Sequence, residues 1–342
     1  MKRNLGFGII GTGAIASKHA AAIRELAGAE LVAVCSSSEE RAARASESFK
    51  VRAYSDIKAF LNHPELDIVC ICTASGAHLE PALAAAKAGK HLLIEKPIEI
   101  NLERTDELIA ACHTAGVKLG VIFQNRFTED YLKLKQAVSQ GVFGKLLMGN
   151  AYVNWFREAT YYSGSDWRGT LKGDGGGALI NQGIHTIDLL VDIMGEVSSV
   201  FGQVKTVLYP IEGEDLGAAL VNFKNGALGN ITAGTALYPG YPERLEIYGA
   251  LGSAVLEAGK IIQWNVKGEE SAIVEPLAQS KSGASDPMAI GHALHLVQFE
   301  DMIQAIQEER APIVTGESAR KSLALIQAIY DSSKVGKRIG VG

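Results

Sequence analysis

The first 123 residues alternate short apolar runs with amphipathic stretches, and this rhythm constrains the fold more than any other feature of the chain. Strands that alternate with helices at this spacing form a parallel sheet with helices on both faces, because right-handed crossovers carry the chain back over the sheet. The sequence therefore predicts a doubly wound α/β domain at residues 1–123. The predicted strands are 5–10, 30–35, 52–54, 68–73, 91–94 and 118–123, and the predicted helices are 14–27, 38–49, 57–62, 78–88 and 102–115.

After residue 123 the pattern changes to helices and to strands separated by turn residues. Asn225-Gly226 between two apolar runs is a strong hairpin signal. These features predict an antiparallel α+β domain at 124–342, whose final helices are free to pack back on the first domain. The predicted helices are 131–140, 178–194, 291–310 and 317–335, and the predicted strands begin at 151 and fill much of 197–266.

The composition argues against several classes of partner. A net charge of −5 and an isoelectric point near 6.0 provide no basic surface for nucleic acid or an anionic membrane. No apolar run approaches the roughly 20 residues that span a bilayer. The four cysteines lack zinc-type spacing and are expected to be buried free thiols in a reducing cytoplasm. We therefore expect a cytoplasmic protein with no nucleic-acid or membrane partner and no metal.

A glycine-rich loop links the first predicted strand to the first predicted helix. In this position the loop amides and the helix N-terminus can face a pyrophosphate. The first glycine permits the tight turn, the second lets phosphate approach the backbone, and Ala16 replaces a third glycine at the helix–strand contact. The alternative is a strand–turn–helix corner without a ligand. The predicted cofactor-binding residues of this loop are Gly11, Thr12, Gly13, Ala14 and Ile15.

The end of the second predicted strand bears on the choice of cofactor. An NAD site often has a carboxylate here to bind the ribose hydroxyls, whereas this chain has Ser36, Ser37 and Ser38, with Arg41 one turn later. Nothing repels a 2′-phosphate at this place, and hydroxyls beside a guanidinium can bind one. NADP(H) is therefore favoured over NAD(H). The alternative treats the serines as a helix N-cap and Arg41 as solvated surface, which leaves NAD(H) open.

The motif Glu95-Lys96-Pro97 follows predicted strand 91–94, at the carboxyl edge of the sheet, where open α/β folds bind ligands. Pro97 biases the preceding residue toward an extended conformation, which aims the Lys96 amine into the crevice. A lysine after a strand is usually only solvated surface, so this motif needs support from elsewhere in the chain.

The segment 175–188 supplies that support, since it carries the polar cluster Asn181-Gln-Gly-Ile-His185. With the glycine loop and Glu95-Lys96-Pro97, it resembles the glucose–fructose oxidoreductase, inositol dehydrogenase and rhizopine-catabolism (Gfo/Idh/MocA) family. The resemblance covers almost the whole chain, including 120–127 and the final helix at 319–330. It implies an α/β Rossmann domain, a second α+β domain with a large open, mainly antiparallel sheet, and a homodimer or homotetramer packed through that sheet.

The resemblance assigns the family's catalytic lysine to Lys96 and its catalytic histidine to His185. Many members have an aspartate one helical turn before that histidine, where this chain has Asn181. Residues four apart share a helix face, so Asn181 can still hydrogen-bond a substrate, but an amide cannot accept a proton at neutral pH. His185 is therefore the principal candidate base. In this interpretation Lys96 stabilises negative charge on the same oxygen while hydride passes to nicotinamide.

Further cofactor and substrate contacts are expected. The resemblance places the loop of Thr73 and His78 near the nicotinamide, although a histidine at a helix start has other uses, and Glu95 and Lys96 complete the predicted cofactor contacts. Aromatic and hydrogen-bonding side chains at 155–168 suit a pyranose or cyclitol, and a buried structural cluster explains some of them equally well. The predicted substrate-binding residues are Asn125, Arg126, Arg157, Tyr162, Trp167, Asn181 and His185.

The main functional prediction is an NAD(P)-dependent oxidoreductase acting on a hydroxyl or keto group of a sugar, sugar derivative or cyclitol. One alternative of the same fold is a glycosidase that uses tightly bound NAD for transient oxidation, which net turnover of added nicotinamide would distinguish. The other is a non-catalytic ligand-sensing regulator, and the presence of both Lys96 and His185 argues against it.

Overall fold

The computed structural model describes residues 3–269, 272–273 and 291–342. The described part of the chain divides into two compact units. The first is formed by the described residues of Met1–Gln124 together with Gly291–Arg320, and the second by those of Asn125–Ile290 together with Lys321–Gly342. Each unit is therefore built from two separate stretches of sequence.

The first unit contains a parallel sheet whose strands agree with the predicted ones to within two residues at each end. The strands are β1 Leu5–Ile10, β2 Ala29–Cys35, β3 Arg52–Tyr54, β4 Ile68–Ile71, β5 His91–Ile94 and β6 Leu119–Val121. Their order across the sheet is β3-β2-β1-β4-β5-β6. This is the doubly wound order, in which ligands bind at the carboxyl ends of the strands where the winding reverses, between β1 and β4.

The helices follow the apolar periodicity of the sequence, and their ends are set by caps such as Asn101, which accepts a hydrogen bond from the Arg104 amide. Among the described residues, no helix is both long and apolar enough to cross a bilayer. The helices are α1 Ala14–Glu25, α2 Glu39–Phe49, α3 Ile57–Leu61, α4 Leu79–Lys87, α5 Leu102–Ala115, α6 Glu129–Ser139, α7 Thr160–Ser163, α8 Leu171–Asp174, α9 Ile184–Met194, α10 Ala293–Gln307 and α11 Gly316–Val335.

Helix α10 belongs to the first unit although it lies near the carboxyl end of the chain. Its Phe299 and Met302 are fully buried in one core with Phe7 and Ile9 of β1 and Ile23 of α1. The Phe7 and Phe299 rings stack with their centroids 5.9 Å apart. Side chains of this size contribute roughly 1.5–3 kcal/mol each on burial, so α10 is an integral part of the core.

The second unit contains a mainly antiparallel sheet of nine strands within the described residues. The strands are β7 Leu146–Asn154, β8 Val197–Lys205, β9 Leu216–Phe223, β10 Leu228–Gly234, β11 Arg244–Gly249, β12 Gly252–Glu257, β13 Lys260–Val266, β14 Ala272–Ile273 and β15 Ile339–Gly340. Their order is β14-β13-β12-β11-β7-β10-β9-β8-β15, and only β7 and β10 pair in parallel. The hairpin predicted at Asn225-Gly226 is confirmed, because β9 and β10 pair antiparallel on either side of it.

Two sequence predictions in the second unit need correction. The strand expected to begin at 151 begins at 146, because the preceding residues also pair with β10 and β11. The sequence predicts no helix between 140 and 178, where the structure contains the one-turn helices α7 and α8. The predicted helix at 178–194 is present, with a π turn, Leu179–Gly183, ahead of α9.

The two faces of the second sheet differ. Helix α9 packs closely on one face: a Cβ on Gly149 of β7 would lie 2.7 Å from side-chain atoms of Leu190 and Met194. The other face exposes apolar side chains, among them the cross-strand pair Phe201 and Leu220, which are 37% and 56% exposed. Exposed apolar side chains that adjoin are typical of contact surfaces. Association of two or four copies through this sheet remains a prediction.

Candidate active site

The glycine loop between β1 and α1 has a geometry that fits a pyrophosphate. Gly11 has a φ of +92°, and a Cβ there would lie 2.7 Å from the backbone of Cys72. A Cβ on Gly13 would meet no described atom within 4 Å, so the loop is open on this side. The N-terminus of α1 has no side-chain cap, which leaves its amides available to an anion. Contacts of Thr12, Ala14 and Ile15 with the cofactor remain predictions.

The three serines after β2 make different contacts. The Ser38 hydroxyl caps α2 by accepting a hydrogen bond from the Arg41 amide at 3.3 Å, as the alternative interpretation expects. The Ser37 hydroxyl accepts a hydrogen bond from the exposed Arg41 guanidinium at 3.1 Å. The Ser36 hydroxyl lies 3.2 Å from that of Thr12 in the glycine loop. A helix cap and a hydroxyl–guanidinium pair suited to a 2′-phosphate therefore occur side by side.

The Glu95 carboxylate, immediately after β5, is 8% exposed and contacts α1 and α10. Its Oε1 lies 2.8 Å from Nε2 of His19 and 3.9 Å from Nε2 of His295, and its Oε2 accepts the Lys96 backbone N–H at 3.2 Å. Burial disfavours the carboxylate, but the His19 hydrogen bond and the electrostatic interactions with His19, His295 and Lys96 outweigh it. They lower the pKa of Glu95 to about 2. The segment that carries Lys96 is thereby tied to the glycine-loop helix.

The donor atoms of His19, Glu95 and His295 all lie within 4.8 Å of one another, close enough to share a metal ion. The contacts favour hydrogen bonding instead. The 2.8 Å separation of His19 and Glu95 is an ordinary hydrogen-bond length, and the Cys72 thiol lies 3.4 Å from the other ring nitrogen of His19. Burial lowers the pKa of His295 to about 4, so this ring is neutral at pH 7. We interpret the cluster as a set of polar contacts that connects α1, the end of β5 and α10 within the first unit.

His78 connects the loop after β4 to the turn that follows Lys96. Its Nδ1 lies 3.0 Å from the Pro97 carbonyl oxygen and its Nε2 lies 3.3 Å from that of Thr73. The side chain is 1% exposed, and burial lowers its pKa despite nearby carboxylates. These contacts give His78 a structural role. Cofactor contacts by Thr73 and His78, like those by Glu95 and Lys96, remain predictions.

Asn181 and His185 are the accessible positions of their segment. Both are partly exposed, whereas every other residue from 178 to 191 is buried. Asn181 lies in the π turn and His185 in the first turn of α9. Uncommon π turns of this kind are frequently found at functional sites. The structure therefore presents to solvent the two side chains of this stretch to which the sequence assigned chemistry.

Glu214 binds the backbone at the start of the segment that carries Asn181 and His185. Its carboxylate accepts the backbone N–H groups of Gly177 and Leu179 at 2.9 and 2.7 Å, and the Tyr330 hydroxyl donates to it at 3.1 Å. A Cβ on Gly177 would lie 1.8 Å from the Glu214 carbonyl oxygen, so this close passage requires glycine. Burial raises the pKa of Glu214 to about 7 despite these donors.

Asp174 contacts Asn181 directly. The Asn181 side-chain nitrogen donates to Oδ1 of Asp174 at 2.6 Å, and the Gly169 backbone N–H donates to Oδ2 at 3.0 Å. The Asp174 side chain is 2% exposed. A buried carboxylate thus lies beside the amide that the sequence identified as a departure from the commoner family pattern.

The Tyr161 ring contacts two guanidinium groups in the loop ahead of the glycine run. The guanidinium carbon of Arg168 lies 4.6 Å from the ring centroid and that of Arg157 lies 5.6 Å from it. Arg157 also lies 4.7 Å from the Trp155 ring, and Gln182 donates to the Tyr161 hydroxyl at 2.9 Å. Cation–π contacts hold both cations in place. Aromatic and cationic groups are therefore preorganised in this loop.

Three predicted substrate-binding residues have structural contacts. The Tyr162 hydroxyl lies 2.7 Å from the Thr235 hydroxyl, and burial raises the pKa of Tyr162. The Arg126 guanidinium is 3% exposed and pairs with Asp188 at 2.6 Å. Trp167 is half-buried, with Arg168 over its ring at 5.5 Å. These contacts support the structural alternative, and substrate roles for these residues remain predictions.

Asn125 and Arg157 are placed differently from each other. Asn125 is partly exposed and lines a small cleft with Thr128 and Thr186. Arg157 is 4% exposed, and its backbone carbonyl accepts a hydrogen bond from the Tyr209 hydroxyl. Substrate contacts by both residues remain predictions.

The sequence interpretation missed His19, His295 and Asp174. A signal for His19 was available, because it shares the buried stripe of α1 with Ala16, Ala20 and Ile23, and a histidine on an apolar stripe needs a polar partner. The partner itself, 76 residues away, had no local signal.

Comparison with known families matches both units. Residues 5–123 match the profile of an oxidoreductase family with an NAD-binding Rossmann fold, GFO_IDH_MocA. Residues 131–255 match the GFO/IDH/MocA C-terminal domain. The two matched regions contain the glycine loop, Glu95-Lys96-Pro97, Asn181 and His185.

Individual relatives cover nearly the full chain. The WlbA dehydrogenase of Bordetella pertussis, solved with NADH and UDP-GlcNAcA, is 32% identical with a TM-score of 0.86, and 99% of each chain is covered. The WlbA dehydrogenase of Chromobacterium violaceum, solved with the same two molecules, is 31% identical with a TM-score of 0.87 over 100% of this chain and 97% of that one. The myo-inositol 2-dehydrogenase of Thermotoga maritima is 29% identical over 93% of both chains.

The Ser37–Arg41 pair yields a prediction about cofactor choice. If the Arg41 guanidinium binds the 2′-phosphate, Arg41→Ala should weaken NADP binding by roughly tenfold or more, because it removes a charge-assisted hydrogen bond, and leave NAD binding unchanged. Calorimetric titration with both cofactors measures this. Arg44→Ala is the matched control, since Arg44 lies on the same helix and pairs with Glu40. Wild-type protein that binds NAD more tightly than NADP would contradict the serine interpretation.

The buried His295 yields a prediction about pH. The pKa of His295 is about 4 in the folded protein, against an ordinary 6.5. As the pH falls from 6.5 to 4, His295 is therefore protonated in the unfolded chain but not in the folded protein. Stability is then lost from about pH 6.5 to 4, by on the order of 3 kcal/mol for this group, whereas the loss from the paired Glu95 occurs below about pH 4.5. Urea unfolding between pH 7.5 and 4 should show a flatter dependence for His295→Gln. An unchanged dependence in His295→Gln would contradict the buried, neutral state of this ring.

Proposed function

The chain belongs to the Gfo/Idh/MocA family of NAD(P)-binding oxidoreductases, and from this premise we propose that it oxidises a hydroxyl group of a sugar that carries a negative charge. The family acts as dehydrogenases and reductases on sugar or cyclitol hydroxyl groups. The observation that carries the proposal is the accessibility of Asn181 and His185 in an otherwise buried segment, in a chain whose glycine loop fits a pyrophosphate. Catalytic side chains must be accessible to a substrate, and these two are.

The proposed mechanism assigns one task to each group. Bound nicotinamide supplies or accepts the hydride. His185 takes the proton of the reacting hydroxyl as general base, the role that histidine most often has in enzymes. The Lys96 ammonium donates a hydrogen bond to the same oxygen and stabilises the negative charge that develops there. Asn181 accepts or donates a hydrogen bond without exchanging a proton.

In this mechanism Glu95 helps to position Lys96. Its carboxylate accepts the Lys96 backbone N–H, and His19 donates to it from the helix that begins at the glycine loop. The cofactor-binding loop and the catalytic lysine are therefore connected through one hydrogen-bonded cluster. A connection of this kind limits how far the lysine backbone can move relative to the loop, and catalysis depends on such positioning.

The surroundings of Arg168 favour a negatively charged substrate. Among the described residues its polar contact is a 3.5 Å hydrogen bond to the Tyr161 carbonyl oxygen, and no ion pair is found for it. A half-buried guanidinium held over two rings without a carboxylate partner is suited to pair with an anion of the substrate. The two WlbA relatives were solved with UDP-GlcNAcA, which carries both a carboxylate and a diphosphate. We propose a uronate or a nucleotide-linked sugar as the substrate class.

Removal of either proposed catalytic residue should abolish most turnover. Lys96→Ala and His185→Ala should each lower kcat by about 10² to 10⁴, the usual contribution of acid–base groups, with cofactor affinity near wild type. The measurement is absorbance of reduced nicotinamide with a panel of sugars, cyclitols and UDP-sugars and both cofactors. Lys87→Ala and His113→Ala, at exposed positions, are controls. Product formation without net reduction of added nicotinamide would indicate the glycosidase alternative.

Arg168 should affect charged substrates selectively. Arg168→Gln should raise KM for UDP-GlcNAcA by roughly tenfold or more and leave turnover of a neutral substrate such as myo-inositol unchanged, because only the anion loses its partner. Arg168→Lys keeps the charge without the planar fork and should fall between the two. An equal effect on charged and neutral substrates would contradict the proposed role.

A further inference from the structure

The contact between Asn181 and Asp174 determines which way round the Asn181 amide lies. The oxygens of an ionised carboxylate only accept hydrogen bonds, so the amide group 2.6 Å from Oδ1 of Asp174 must be the nitrogen. The other carboxylate oxygen accepts the Gly169 N–H, which holds Asp174 itself in a fixed orientation. The amide oxygen of Asn181 is therefore turned away from Asp174.

The local backbone makes Asp174 a rigid partner. Asp174 ends the one-turn helix α8, which is capped by the Thr170 hydroxyl. Gly175 and Gly176 follow with φ values of +81° and +159°, and they redirect the chain into the segment of Asn181. Because the carboxylate is 2% exposed, bulk water does not compete for the hydrogen bond to the amide.

An asparagine at this position needs such a partner more than an aspartate does. A carboxylate presents an acceptor oxygen whichever way it is rotated, so the aspartate found in many members of the family needs no fixed orientation. An amide rotated by half a turn replaces its acceptor with a donor. A chain that has asparagine here therefore requires another group to select the rotamer.

We propose that Asp174 is a positioning residue that holds Asn181 with its amide oxygen as an acceptor for a substrate hydroxyl. The proposal rests on the oxidoreductase function given above. It identifies Asp174 as the carboxylate that acts, through Asn181, where other members have the carboxylate at position 181 itself.

Three variants test the pair. In Asp174→Asn the new amide oxygen still accepts the Gly169 N–H, so its nitrogen faces position 181 and Asn181 must rotate to present its own nitrogen to the substrate. We expect kcat/KM to fall by about tenfold to a hundredfold, because the substrate hydroxyl loses its acceptor. Asn181→Asp places two carboxylates where a 2.6 Å hydrogen bond now lies, and their repulsion should cause a similar loss.

The double variant Asp174→Asn with Asn181→Asp reverses the direction of the hydrogen bond and restores an acceptor toward the substrate. We expect kcat/KM within about fivefold of wild type, which is a strong favourable coupling between the two sites. A purely structural contact would not predict this recovery. Equal cofactor affinity in all three variants is the control for folding. A double variant as slow as the slower single variant, or an unchanged Asp174→Asn, would overturn the proposal.

A second readout does not depend on turnover. In ¹⁵N spectra of the wild-type protein, the Asn181 side-chain resonance is identified by its loss in Asn181→Asp, and one of its protons should be shifted downfield by the carboxylate. That shift should disappear in Asp174→Asn. If no sugar in the panel is oxidised, the proposed function fails while this measurement still tests the orientation. If the proton is not shifted in wild type, the proposed orientation is wrong whatever the enzyme oxidises.

Discussion

The hydrogen bond between His19 and Glu95 is the central contact of the buried polar cluster in the first unit. It joins the helix of the glycine loop to the residue beside Lys96 across 76 positions of sequence. An ionised carboxylate this deeply buried is tolerated only when it is paired, and removal of one partner of such a pair typically costs about 3–5 kcal/mol. Loss of this pair would therefore weaken the link between the helix of the glycine loop and the backbone of Lys96.

The second unit uses buried carboxylates in the same way. Glu214 accepts the backbone amides at the start of the π turn, and Asp174 accepts the Asn181 amide within it. Asp188 pairs with Arg126 and accepts a hydrogen bond from Ser322 on α11. Each of these carboxylates satisfies groups that would otherwise be buried without a partner. Asn181 and the backbone at the start of the π turn are therefore held by two acids that lie outside the turn, Asp174 and Glu214.

The sequence predicted most of the secondary structure because apolar periodicity reports burial directly. The strands β1 and β5 were placed at their observed bounds, since each is a short, mainly apolar run that ends at a turn or loop. The π turn Leu179–Gly183 was not predicted, because the sequence signals that locate a helix do not distinguish a π turn from an α-helical one. The pairing of His19 with Glu95 spans 76 residues and has no local sequence signal. The contact of Asp174 with Asn181 is closer in sequence, but it depends on the exact turn that Gly175 and Gly176 make. The sequence therefore singled out Lys96, Asn181 and His185 as candidates, whereas the contacts of the Lys96 backbone with Glu95 and of Asn181 with Asp174 became apparent only in the structure.

The division of the chain has a consequence for how the protein is made. The first unit needs α10, whose Phe299 fills its core, and the second needs residues 321–342, which supply β15. A ribosome adds residues from the amino terminus, and domains fold as their sequence emerges. The first unit therefore cannot be completed until residues 291–320 have been synthesised, and the second until residues 321–342 have. The earlier part of each core must therefore remain incomplete until the stretch that completes it has emerged.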